Sequence, residues 1–163
     1  MDKKNVLVVG VQHSCTRLFV AFLSLHPEIQ NAHHWSIPSG NKYNHFANSL
    51  NNIKIAQKII IVVRERNCVN LSNKQTDQME NVLEKGNNFI KENLKIIKES
   101  GRLKDVIFVS FEMLEQFKEH TLRQLFRNIG VNEDTYDYEN EGTFEADWWR
   151  ISLKVRDCNK KYF

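Results

Sequence analysis

The sequence predicts an α/β fold: three layers, with a short parallel sheet of about four to five strands flanked by helices. Three observations carry this. Short β-branched runs alternate with longer segments of helical period, the pattern of parallel strands joined by crossover helices. The two strongest runs, NVLVVG at Asn5–Gly10 and KIIIVVR at Lys58–Arg64, are almost wholly apolar. Strands covered on both faces read this way. Finally, 163 residues are enough for one core without staples. We read residues 1–163 as a single domain, with an α/β core over 5–131 and an acidic, then basic, segment over 132–163.

The elements follow in order. Asn5–Gly10 is a buried strand. Thr16–Leu25 is a helix with Leu18, Phe19, Phe22, Leu23 and Leu25 apolar. It stops at His26-Pro27, because a residue before proline is pushed out of the helical region. Ile29–His33 is a short second strand. Trp35–Asn44 is a loop rich in Ser, Asn, Gly and Pro, and Tyr43–Asn51 is a short helix. Lys58–Arg64 is the central strand, and a helix starts within Asn67–Lys74. Asp77–Ser100 is an amphipathic helix with Val82, Leu83, Phe89, Ile90, Leu94 and Ile97 on one face. Ser100-Gly101 ends it. Asp105–Val109 is another buried strand. Met113–Asn128 is a helix carrying Leu114, Phe117, Leu122, Leu125 and Phe126, with Gly130 near its end.

Composition narrows the function. The chain is 41% hydrophobic and 26% charged, with six Gly and two Pro, which excludes collagen-like and low-complexity designs. A net charge of +3 is too mild to argue for nucleic acid and suits a small anionic ligand. The three cysteines, Cys15, Cys68 and Cys158, are far apart and form no C-x-x-C. They support neither a zinc ribbon nor a disulfide framework, and are expected reduced in a cytoplasmic protein. No apolar run approaches the ~20 residues of a membrane span. Met1-Asp2-Lys3-Lys4 leads straight into a strand rather than a signal peptide.

In parallel sheets ligands bind at the carboxyl ends of strands, so the residues just after each strand matter most. The first strand runs into Gly10-Val11-Gln12-His13-Ser14-Cys15-Thr16-Arg17. A strand–loop–helix with small, hydroxylated residues suits a phosphate, because unpaired N–H groups and the macrodipole favour an anion at the helix start. Ser14 and Thr16 offer hydroxyls and Arg17 a charged fork. The loop is not G-x-x-x-x-G-K-[ST]: Cys15, Thr16 and Arg17 stand where Gly, Lys and Ser/Thr are needed. Magnesium-dependent ATP chemistry is therefore disfavoured. After the central strand, Arg64 and Ser72 stand eight positions apart. A strand-end Arg and a Ser two turns into the next helix can converge on one oxyanion.

These residues resemble those of sulfotransferases that use 3′-phosphoadenosine 5′-phosphosulfate (PAPS). His13-Ser14-Cys15-Thr16-Arg17-Leu18, followed by Leu25-His26-Pro27-Glu28-Ile29, is similar to that family's 5′-phosphosulfate loop and its "L-x-x-H-P-x-I" helix. Cys15 stands where the family usually has Gly, and His13 where many members have Lys or Arg. Arg64 and Ser72 match the family's 3′-phosphate ligands, with Glu65-Arg66 in place of Asp-Pro. Phe111-Glu112-Met113-Leu114 resembles "Y-E-x-L" after a later strand, and we read Glu112 as scaffold. The resemblance covers residues 5–75 well and 105–115 modestly.

The resemblance implies a P-loop nucleoside triphosphate hydrolase-like fold and a sulfotransferase with PAPS as cofactor. Adenosine 3′,5′-bisphosphate (PAP) would be the product, and no metal is required. It implies cofactor binding by Gln12, His13, Ser14, Cys15, Thr16, Arg17, Arg64 and Ser72. A late basic segment, Arg156, Lys160 and Lys161, would close over the cofactor. His13 would stabilise the leaving phosphate. His33 and His34, after the second strand, are candidates for the base that takes the acceptor's proton, since imidazole titrates near neutrality. The acceptor is a hydroxyl or amine compound, such as a carbohydrate or another small molecule, with neither nucleic acid nor membrane as partner. The oligomeric state is left open. Two alternatives stand beside this reading: a non-catalytic nucleotide- or partner-binding domain of the same fold, and a small-molecule kinase.

Overall fold

The computed structural model describes residues 3–11, 14–35, 53–75 and 82–139. Four parallel strands form one sheet in the order β2-β1-β3-β4. They are β1 (Lys4–Gly10), β2 (Ile29–Trp35), β3 (Lys58–Val63) and β4 (Val106–Ser110). The helices are α1 (Thr16–Ser24), α2 (Arg66–Gln75), α3 (Val82–Glu99), α4 (Phe111–Gln116) and α5 (Lys118–Ile129). The predicted α/β class is what folds. The expected loop at Trp35–Asn44 and helix at Tyr43–Asn51 lie almost wholly outside the described residues.

The near-continuous apolar runs of β1 and β3 follow from burial on both sides. Val6 and Val8 of β1, with Ile60 and Val62 of β3, face one layer. That layer consists of Phe19, Phe22 and Leu23 from α1, Phe111 and Leu114 from α4, and Leu122, Leu125, Phe126 and Ile129 from α5. Leu7, Val9 and Ile59 point the other way, to Ile97 of α3, with Phe89 and Ile90 packed alongside. Each large aliphatic or aromatic side chain so buried contributes about 1.5–3 kcal/mol.

Two expectations need correction. The predicted single helix Met113–Asn128 is two helices, broken at Phe117, whose φ of −135° and ψ of 54° leave the helical region. A continuous 3.6 period from Leu114 would put position 118 in the core, and a lysine stands there. The break lets Lys118 sit over the Phe22 ring at 5.4 Å instead. Phe117 consequently turns outward and is exposed. The second strand also runs two residues further than its pattern suggested, to Trp35.

His26-Pro27 does more than end α1. His26 is buried among core aromatics, its ring 4.5 Å from that of Phe126. Its Nδ1 accepts the Glu28 N–H at 3.1 Å, and its Nε2 lies 3.1 Å from the Asn132 carbonyl. A carbonyl only accepts, so these partners assign the neutral Nε2–H tautomer. Burial pushes the His26 pKa down, in keeping with that neutral form. The histidine thereby ties the chain after α5 to the α1–β2 turn.

Candidate functional site

The sheet order places a topological switch at β1. The chain leaves β1 through α1 to β2 on one side, and β3 pairs on the other. Ligands bind beside such a reversal, at the strands' carboxyl ends. A cavity of about 430 Å³ lies there, bordered by Val11 and Ser14 after β1, Arg64 and Arg66 after β3, and the first turns of α3.

The turn after β1 is built by close approach. A Cβ on Gly10 would collide with Ser14 Oγ and lie 2.6 Å from Thr16 Cγ2. Only glycine lets the chain fold back over its own strand end. Ser14 closes that fold: its N–H and its hydroxyl both donate to the Val11 carbonyl, at 2.9 and 2.5 Å. Ser14 and Thr16 are both buried. The Ser14 hydroxyl thus holds the loop shut in this structure, whereas its residue type suggests a ligand donor.

Cys15 then adopts φ 65° and ψ 29°, a left-handed conformation that among the described residues no other non-glycine takes. Here the resemblance expects Gly, the residue that adopts a left-handed backbone without steric cost. Cys15 caps α1 without any side-chain hydrogen bond. The α1 ladder starts with Leu18 and Phe19, whose N–H groups donate to the Cys15 carbonyl at 3.0 and 3.3 Å, so this end presents the N–H groups that precede them and the positive end of the helix dipole. Arg17 follows on the exposed side of that turn.

The turn after β3 is built by hydrogen bonds. Glu112, in the first turn of α4, accepts the Glu65 N–H at 2.8 Å on one oxygen and the Ser110 hydroxyl at 2.7 Å on the other. Glu65 in turn accepts the Cys68 N–H at 2.9 Å, an N-terminal cap for α2. Arg64 packs on the residue that precedes Glu112. Its guanidinium lies 4.8 Å from the centre of the buried Phe111 ring, and its Nε and Nη2 are buried. Glu112 is therefore a scaffold group, and Glu65 caps α2.

Two thiols flank Arg64. Burial pushes Cys15 up to about 12, the nearby Arg64 charge opposing it only in part. Cys68 is raised for the same first cause. Both thiols are neutral at physiological pH, so neither adds negative charge to a site whose cations would serve an anion.

The structure gathers Ser14, Cys15, Thr16, Arg17 and Arg64 at adjacent strand ends. Ser72 lies two turns into α2. His33 and His34 fall inside β2, paired with Leu7 and Val8, rather than after the strand as expected. Gln12, His13, Arg156, Lys160 and Lys161 lie outside the described residues. Among the described residues no three His, Cys, Asp or Glu side chains could share a metal ion, and no helix is long and apolar enough to cross a membrane. Sequence reasoning missed Arg66 and the α3 residues Glu84, Asn87, Asn88 and Lys91, which border the cavity. One available signal was Gly86, in the interior of an otherwise good helix.

No protein-family model and no curated protein matches the sequence. Solved structures do match. A sulfotransferase from Alicyclobacillus acidocaldarius superposes with a TM-score of 0.52 over 97% of this chain and 93% of that one, at 12% identity. A mouse sulfotransferase complexed with PAP gives a TM-score of 0.45 over 95% of this chain and 65% of that one, at 13% identity, too distant a likeness to carry an inference. The four-stranded parallel sheet and its flanking helices have the sulfotransferase-like form of the P-loop fold.

Proposed function

We propose that the chain binds PAPS at the switch point between β1 and β3 and transfers its sulfuryl group to a hydroxyl or amine acceptor. The observation that carries this reading is the adjacency of two anion-binding elements. The N-terminus of α1, without a side-chain cap, and the strand-end Arg64 border the same reversal of the sheet. The donor set fits an anionic nucleotide: backbone N–H groups and guanidinium nitrogens, with both nearby thiols neutral.

Bound PAPS supplies the sulfuryl group, which moves in line between two oxygens (or to nitrogen) much as a phosphoryl group does. The chain's part is placement and charge. Thr16 and Arg17 offer first-turn N–H groups to the 5′ end. Arg64, fixed by Phe111 and flanked by the Glu112 network, offers its guanidinium to the 3′-phosphate with little loss of side-chain freedom. Ser72 joins Arg64 there. His13 stabilises the departing phosphate oxygen. His33 or His34 takes the acceptor proton, a role for imidazole near neutral pH. Arg156, Lys160 and Lys161 close over the nucleotide.

The test is transfer of ³⁵S from labelled PAPS to a panel of a sugar, a phenol and an amine. Acceptor-dependent release of PAP is expected, with kcat/KM reduced about a hundredfold or more in Arg64→Ala, as loss of a charged phosphate contact entails. PAP binding without transfer to any acceptor would leave a nucleotide-binding domain, and turnover of ATP with Mg²⁺ would make it a kinase.

A further inference from the structure

α3 brings to the cavity a polar stripe that neither strand end explains. Glu84, Asn87, Asn88 and Lys91 all border it. Their spacing of three, one and three residues puts them on one helical face. The adjoining stripe, Leu83 and Ile90, packs on Val11 and Val69. Gly86 sets how close the helix comes. A Cβ there would lie 2.8 Å from Val11 Cγ2 and 3.0 Å from Val11 Cβ, nearer than a side chain tolerates. Glycine weakens a helix interior. Here it seats α3 directly on the residue that follows β1, and so carries the stripe to the mouth of the site.

Charge then singles out one member. Among the described residues, Arg64, Arg66 and Lys91 border the cavity with Glu84 as the opposing carboxylate, three positive against one negative. That excess of cations suits a phosphomonoester, which carries about −1.5 to −2 near neutral pH. Lysine is a point-charge phosphate ligand on a flexible stem, able to fold in from a rim where Arg64 is fixed. Glu84 stands seven residues before Lys91, roughly 10 Å along the helix, and leaves the lysine end of the stripe positive.

We propose that Lys91 is a ligand of the nucleotide's 3′-phosphate, closing from α3 a clamp whose other cations are Arg64 and Arg66. This rests on the PAPS reading above and adds a contact that the motifs do not assign. The α1 end takes the 5′ group, so Lys91 should act on only one of the two phosphate positions.

Calorimetric titration of PAP and of adenosine 5′-phosphate, which lacks the 3′ group, tests this on the full chain. Lys91→Ala should weaken PAP about tenfold, leave adenosine 5′-phosphate within twofold, and be rescued by Lys91→Arg. Glu84→Gln should tighten PAP a few-fold by removing the opposing charge. Lys95→Ala is the control: Lys95 lies one turn further along, exposed and 3.9 Å from Glu99, and should change neither affinity. An unchanged PAP affinity in Lys91→Ala, an equal loss for both nucleotides, or an equal loss in Lys95→Ala would overturn the assignment of Lys91 alone. A wild type that binds PAP no better than adenosine 5′-phosphate would overturn the PAPS reading with it.

Discussion

The ends of β1 and β3 are neighbours in the sheet, yet different physics shapes them. After β1 the turn is steric: a glycine without room for a Cβ, a left-handed cysteine, and a serine bonded back to Val11. No charged side chain holds it in the bonds described. After β3 the turn is electrostatic: Glu112 accepts from Glu65 and Ser110, and Glu65 caps α2. The first turn presents backbone donors, and beside the second a guanidinium packs on Phe111. An anion site needs both, since backbone N–H groups must be approached closely while an Arg must be oriented. The comparison teaches that the first end should tolerate changes of charge but not of volume, and the second the reverse.

Substitutions sharpen that contrast. Gly10→Ala has the largest expected effect. Its methyl meets Ser14 and Thr16 inside a packed turn, and overpacking of this kind costs about 1–3 kcal/mol. Urea denaturation should show that loss, and a wild-type midpoint would mean the turn is not sterically determined. Glu112→Gln keeps volume and changes charge. One amide oxygen still accepts the Glu65 N–H, but the amide nitrogen cannot accept from Ser110. A loss of about 1 kcal/mol is expected in the same assay, together with weaker PAP binding as Arg64 loosens. Equal stability and equal affinity would show that the carboxylate network does not orient the arginine. Cys15→Gly is the smallest change and the one expected to stabilise. Relief of left-handed strain is worth about 1–2 kcal/mol, offset by the roughly 0.4–1 kcal/mol that glycine's unfolded-state freedom costs. The midpoint should therefore rise slightly, and a clear fall would mean that the thiol's packing outweighs the backbone strain.

Much of this was legible in the sequence where the signal is local. The apolar runs announced β1 and β3 because strands buried on both faces leave no polar alternation. Arg64 was singled out because it stands at a strand end and because the sulfotransferase resemblance expects a Ser eight positions on, where Ser72 stands. The Phe117 break was not, since no Pro or Gly marks it. Its one trace is Lys118, a charge where a continuous helix needs a core residue. The fate of the Ser14 hydroxyl was also hidden. Whether it faces a ligand or its own loop depends on how tightly the chain folds over Gly10, which residue type does not specify. The α3 wall is the clearest omission. Its contact with Val11 joins residues 75 positions apart, and the stripe Glu84–Lys91 reads along the chain as an ordinary solvated face.

Calorimetric titration of PAP into the wild type and Arg64→Ala tests the central claim, that the β1–β3 switch point is an anionic-nucleotide site. The account predicts saturable binding by the wild type and about a hundredfold weaker binding by the variant, roughly 2.7 kcal/mol, with the variant's fold intact by circular dichroism. Equal affinity in the two proteins, or no binding by a folded wild type, would contradict it.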